Sequence, residues 1–157
     1  MKNPSIHIRP AILEDYTLIA ENNRKMAWET EEKILEGETI QKGAYEGIKK
    51  SNRCRFFLAE IGGKVVGQAM VAYEWSDWRN GEFWWIHSVY VNPENRKQGV
   101  FKKIYEFIEA LAKSNPEVCG LRLYVENENI NAQNVYSKLG LKDARYKIFE
   151  KEFGKGG

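Results

Sequence analysis

Arg96, Lys97, Lys102 and Lys103 gather around Gly99, where a β-branched and aromatic run ends at Asn92-Pro93. Beyond Gly99 the apolar period changes: Val100, Ile104, Phe107, Ile108 and Leu111 share one face of an α-helix. The first turn of a helix leaves N–H groups unpaired and carries partial positive charge, which makes it a ready phosphate site. Cations are unfavourable there, so their presence suggests that an anion supplies the missing negative charge. An ordinary βα turn with a solvated basic rim fits the same residues, and charge and glycine alone leave both readings open. His87 is the other residue with chemistry to offer. Its ordinary pKa of about 6.5 lets it accept a proton near neutrality. It equally fits a buried, hydrogen-bonded core histidine.

These groups need a scaffold. Ser5 to Arg9 alternates and stops at Pro10, as an edge strand does. Helical spacing follows from Ile12 to Ala27 and again from about Glu38 to Lys50. Arg55–Ile61 and Lys64–Glu74 read as strands joined by a Gly62-Gly63 hairpin turn. Trp75 to Gly81 forms the next turn. Glu82 to Val91 is apolar on both faces and reads as a central strand, interrupted by His87 and Ser88. Simple alternation puts His87 on one face with Phe83, Trp85, Val89 and Val91. A helix to Ser114, a strand from Gly120 to Val125, a short helix ending at Gly140 and a last strand, Tyr146–Phe153, complete the order. Gly154 to Gly157 is a tail. Three strands joined by short turns argue for antiparallel pairing, and the later β-α-β step argues for a parallel pair. The expected fold is mixed α/β (α+β): a largely antiparallel central sheet with helices on both faces.

The 157 residues form a single expected domain, 1–157, with room for a sizeable core. The net charge of +2 gives no general case for nucleic acid or membrane, so any anion site must be local. Cys54 and Cys119 match no metal or redox spacing, which favours a reduced, cytoplasmic chain, and two histidines exclude a His-rich metal site. Ser88, Cys54 and Cys119 lie in no nucleophile elbow or His-paired motif.

Two separated motifs resemble those of the GNAT superfamily, the acyl-coenzyme A dependent N-acyltransferases. Val91-Asn-Pro-Glu-Asn-Arg96-Lys-Gln-Gly99-Val-Phe101 resembles its pyrophosphate loop, Arg/Gln-x-x-Gly-x-Gly/Ala, with Phe101 where a small residue is usual. Asn129-Ile-Asn-Ala132-Gln-Asn-Val-Tyr136-Ser-Lys-Leu-Gly140-Leu141 matches Asn-x-x-Ala-x-x-x-Tyr-x-x-x-Gly-hydrophobic. The element order agrees over residues 5 to 153.

The resemblance implies acetyl-CoA as donor and transfer of its acetyl group to a primary amine of a small molecule, by direct attack in a ternary complex. Alternatives are a protein lysine or N-terminal acceptor, or a non-catalytic acyl-CoA sensor. An alkyl amine is only about 0.1% neutral at pH 7, a deficit of about 4 kcal/mol, so a base is useful. His87 is the candidate base, ahead of Glu82 and Glu126. Tyr136 is the candidate acid for the leaving thiolate, although Ala132, Val135 and Leu139 beside it also fit a packing role. Phosphates are expected on the backbone of Arg96, Lys97, Gln98, Gly99, Val100, Phe101 and Lys102, with the cationic side chains nearby. Val89, Tyr90 and Val91 are also expected to bind the cofactor, with an oxyanion donor near Val89 or Tyr90, and the pantetheine arm on Asn129. Trp28, Glu29, Trp75, Trp78 and Glu126 are the expected substrate residues, since aromatic faces and carboxylates suit a cationic amine. A homodimer is implied by the resemblance only.

Overall fold

A computed structural model describes residues 5–154. Among these residues five strands lie in chain order across one sheet: β1 (His7–Pro10), β2 (Cys54–Ile61), β3 (Lys64–Ser76), β4 (Gly81–Val91) and β5 (Val118–Leu123). The first three pairings are antiparallel and β4–β5 is parallel. The β2–β3 hairpin turns at Gly62 and Gly63, both with positive φ (59° and 79°), the conformation that glycine adopts without strain.

The sheet is covered on both faces. α1 (Tyr16–Glu31) and α2 (Gly37–Lys49) bury Ile19, Ala20 and Ala44 against Phe56 and Leu58 of β2. On the other face α3 (Val100–Ser114) buries Val100, Ile104, Tyr105, Ile108 and Ala112 against Phe57, Ala59, Val71, Trp84 and Ile86. The larger of these side chains (Val, Leu, Ile and Phe) each contribute about 1.5–3 kcal/mol of transfer free energy, so the end of β4 and the start of α3 rest on a rigid base. α4 (Ile130–Lys138) follows β5 and ends the helical order.

Two expectations are corrected. Residues 146–153 form no strand, and Tyr146, Ile148, Phe149 and Phe153 are exposed. The alternation there puts lysine or glutamate on both faces, so neither face offers a continuous apolar stripe to bury. Val89 and Val91 do not share a face with His87. They pack into the α3-side core with Trp84 and Ile86. The cause is a β-bulge: Met70 pairs with His87 and Gln68 with Tyr90, so Ala69 alone faces both Ser88 and Val89. One extra residue reverses the alternation beyond it. The tail expected from Gly154 lies outside the described residues after Gly154 itself.

Candidate active site

The pairing of β4 with β5 ends at Ile86–Leu123, while β4 continues to Val91 paired with β3. Among the described residues the β5 side of His87 to Val91 therefore has no partner strand, an open edge of about 16 Å at 3.3 Å per residue. The bulge begins this open stretch. Ser88 holds φ at 53°, a left-handed conformation that costs about 1–3 kcal/mol in a non-glycine residue and persists only where its surroundings impose it. Here Gln68 of β3, fully buried, donates from Nε2 to the Ser88 carbonyl at 3.0 Å.

The chain next crosses to α3 through Asn92–Gly99. Lys97 and Gly99 both have positive φ (63° and 81°), and no side chain caps the helix. Alternating backbone of this kind turns successive N–H groups into one concavity, an anion nest. The first helical bond is Lys103 N–H to Gly99 C=O, so the amides of Val100 to Lys102 precede the ladder. A cavity of about 310 Å³ lies here, lined by Gln98, Gly99, Lys102, Lys103 and Glu106 together with Ser5 and Ile6. Lys102 and Lys103 reach Glu106 only at 3.9 and 4.0 Å. Polyphosphate fits this donor set: free amides, left-handed turns and two loosely held ammonium groups. Gly67 permits the close approach of α3, because a Cβ there would stand 2.9 Å from Val100 Cγ1.

The other side chains of the loop have different engagements. Arg96 donates from Nε to Val91 C=O (2.9 Å) and from Nη2 to Glu29 (2.7 Å), and its guanidinium lies 5.4 Å from the centre of the Tyr90 ring. Its side chain is thus turned toward α1 and does not line the cavity. Gln98 donates to Glu94 C=O. The Phe101 ring does not project into the nest. It packs on the α3-side core with its centre 6.3 Å from Tyr105 and 5.9 Å from Tyr136.

Through that contact α4 is brought beside the start of α3. Asn129 caps α4 by accepting from Ala132 N–H (3.1 Å), and Gln133 donates to the carbonyls of Glu126 and Asn127, folding the loop back onto the helix. The carbonyl oxygen of Asn129 is therefore structural, which leaves its amide as the group able to reach a ligand. Tyr136 is half-buried, and desolvation raises its phenol pKa. Burial lowers the pKa of His87. The imidazole stacks on Trp85 (5.9 Å, 5°) and meets Tyr124 at 5.2 Å.

The proposed substrate residues separate into two groups. Glu29 reaches the site: its carboxylate accepts from Arg96 and from Tyr90 Oη (3.3 Å). Its neighbour Trp28 is exposed, and Glu126 is exposed just beyond β5. Trp75 pairs with Glu82, six residues before Ser88 and so about 20 Å away along the strand. Trp78 occupies the same distant hairpin, 87% exposed. The structure does not bring these two beside His87, because a strand carries its ends apart however similar their chemistry. Glu82 accepts from Trp84 Nε1 at that end. Neither Tyr124 nor the Gln68 cluster follows from the motifs in the sequence. A glutamine inside the apolar run Val65–Val71 was the available signal for the latter.

A mixed sheet that parts between its fourth and fifth strands, with an anion nest at the following helix, defines an acyltransferase class of α/β fold. Residues 12–141 match the Acetyltransferase (GNAT) family, and the chain belongs to that family. A "possible acetyltransferase" from Clostridium difficile 630 is similar at 39% identity, with TM-score 0.88 over 94% of this chain and 97% of that one. A predicted acetyltransferase from Clostridium acetobutylicum, solved with acetyl-CoA, shares the fold at 17% identity, TM-score 0.78, over 94% and 96% of the two chains. Glucosamine-6-phosphate N-acetyltransferase from Arabidopsis thaliana does so at 22% identity, TM-score 0.72, over 95% and 99%. No curated protein sequence matches the chain. Among the described residues no helix is long and apolar enough to cross a membrane, and no group of three or more His, Cys, Asp or Glu could hold a metal ion.

Proposed function

We propose that the protein transfers the acetyl group of acetyl-CoA to a primary amine of a small molecule, by direct attack with both substrates bound. The observation that carries this reading is the open edge of β4 beside the uncapped start of α3. That arrangement offers strand-like hydrogen bonds to an extended pantetheine arm and backbone N–H groups to its phosphates. Acetyl-CoA, when bound, supplies an activated thioester. The backbone of Arg96 to Lys102 would hold the phosphates, with Lys97, Lys102 and Lys103 as neighbouring charge.

The chain's own groups then have four tasks. An N–H of the bulged strand at Val89 or Tyr90 donates to the oxygen that gains negative charge. Burial keeps His87 neutral near pH 7, so its free ring nitrogen accepts the proton that the amine must lose. Tyr136 Oη stays protonated and donates to the departing sulfur. Glu29, with Trp28 beside it, supplies negative charge and an aromatic face for a cationic acceptor.

A free-thiol release assay with acetyl-CoA against polyamines, amino acids, aminoglycosides and short peptides tests the reading. Release with at least one small amine is expected. Release with peptides alone would replace the small-molecule acceptor with a protein one. An unchanged melting temperature in acetyl-CoA would end the reading at its first step.

A further inference from the structure

Gln68 is a fully buried polar side chain in an otherwise apolar part of β3. Its amide has three partners: Nε2 donates to Ser88 C=O and to Asn23 Oδ1, each at 3.0 Å, and Oε1 accepts from Asn22 Nδ2 at 3.0 Å. The orientation of this amide is forced. A carbonyl can only accept, so the NH₂ must face Ser88, and both of its protons are used. Asn22 and Asn23 belong to α1, so one side chain ties the helix, β3 and the bulge of β4 together. Ser88 is also the residue whose left-handed φ makes the bulge.

We propose that Gln68 is a positioning residue for acetyl transfer. Its amide clamps the Ser88 carbonyl and thereby fixes the peptide planes from His87 to Tyr90, which aim the oxyanion-stabilising N–H and the His87 ring. This rests on the acetyl-transfer reading above. Gln68 touches neither substrate and acts only through the strand. Its anchors on α1 make that helix the reference against which the bulge is set. A shift of about 1 Å in such a donor is enough to reduce turnover by about two orders of magnitude.

The test uses Gln68→Glu, which keeps the shape and replaces two N–H donors with at most the single O–H of a protonated carboxyl, and Gln68→Met, which keeps the length and removes all polarity. Ile108→Val, a core truncation in α3, is the control for simple loss of stability. For each, kcat, KM for acetyl-CoA and amide hydrogen exchange of the ligand-free protein are measured. Both Gln68 variants are expected to lower kcat about thirtyfold with KM changed less than threefold. Exchange should accelerate at least tenfold over His87–Tyr90 and not in β2, whereas Ile108→Val alters neither kcat nor this local exchange. Asn23→Ala, which removes one anchor of the amide, should move both readouts the same way by about threefold and decides the matter if the Gln68 variants do not fold. Parent-like kcat, or exchange that rises equally through the whole core, would overturn the proposal. If the parent releases no thiol with any amine, the acetyl-transfer reading fails, and local exchange alone still decides whether Gln68 holds the bulge.

Discussion

His87 and Tyr136 are both shielded from water, and shielding has opposite consequences for an imidazole and a phenol. Desolvation penalises the charged form, which is protonated for His and deprotonated for Tyr. The His87 pKa therefore falls and the Tyr136 pKa rises, leaving both neutral across the middle pH range. The acidic limb of the rate profile should then lie below about 6.5, the ordinary histidine value. His87→Gln should remove that limb and lower kcat; a profile matching the parent's would rule His87 out as the base. Stability follows with a definite sign. Between the depressed folded pKa and about 6.5 the unfolded chain binds more protons, so stability rises with pH and is complete above the unfolded value. Urea unfolding of parent and His87→Gln at pH 5 and pH 8 should show the parent losing more stability at the lower pH. Tyr136→Phe removes one hydroxyl from a ring already packed on Phe101. It should keep the acetyl-CoA thermal shift and lower turnover at least tenfold, and unchanged turnover would remove Tyr136 from the acid's role.

Between elements, the decisive fact is how closely α3 approaches β3 and β4. Gly67→Ala would place a methyl 2.9 Å from Val100 Cγ1 and 3.3 Å from the Tyr90 carbonyl, one contact on the first helical residue and one on the strand beyond the bulge. Overpacking of this kind costs about 1–3 kcal/mol. Because the strain falls on the nest, acetyl-CoA affinity should drop by more than stability alone accounts for; denaturant midpoints and calorimetric Kd values of parent and variant test this. The antiparallel pairing of the strands around Gly62-Gly63 and Trp75–Gly81, both covering layers and the strand–loop–helix around Gly99 are legible in the chain, since period-2 and period-3.6 patterns and a Gly-Gly turn each have a direct structural cause. Three features are not. A bulge leaves no mark in alternation, so a simple two-residue period puts Val89 and Val91 on the wrong face. The end of the β4–β5 pairing depends on where β5 stops at Leu123, which no residue announces. Partner choice was also invisible: Arg96 is chemically suited to phosphate, yet Glu29, 67 positions earlier in the chain, holds its side chain.

For the molecule as a whole, a net charge of +2 spread over 24 basic and 22 acidic residues produces no long-range attraction for a polyanion. Affinity for a phosphate-tailed donor must arise within about a Debye length of the nest, roughly 8–10 Å at ordinary ionic strength. Lys102 and Lys103 are the groups placed to supply it. Both are exposed, and their contacts with Glu106 are long enough to be surrendered at little cost. Replacing both with alanine should leave the ligand-free melting temperature nearly unchanged, because no buried surface is lost. The same change should weaken acetyl-CoA several-fold and flatten the dependence of Kd on NaCl. Thermal shifts make the comparison direct: a ligand at 100 times its Kd stabilises by about 2.7 kcal/mol, and a tenfold weaker Kd removes about 1.4 kcal/mol of that. A double variant with the parent's Kd and the parent's salt slope would show that neither Lys102 nor Lys103 helps to hold the phosphates. The basic rim at the start of α3 would then be only a solvated surface.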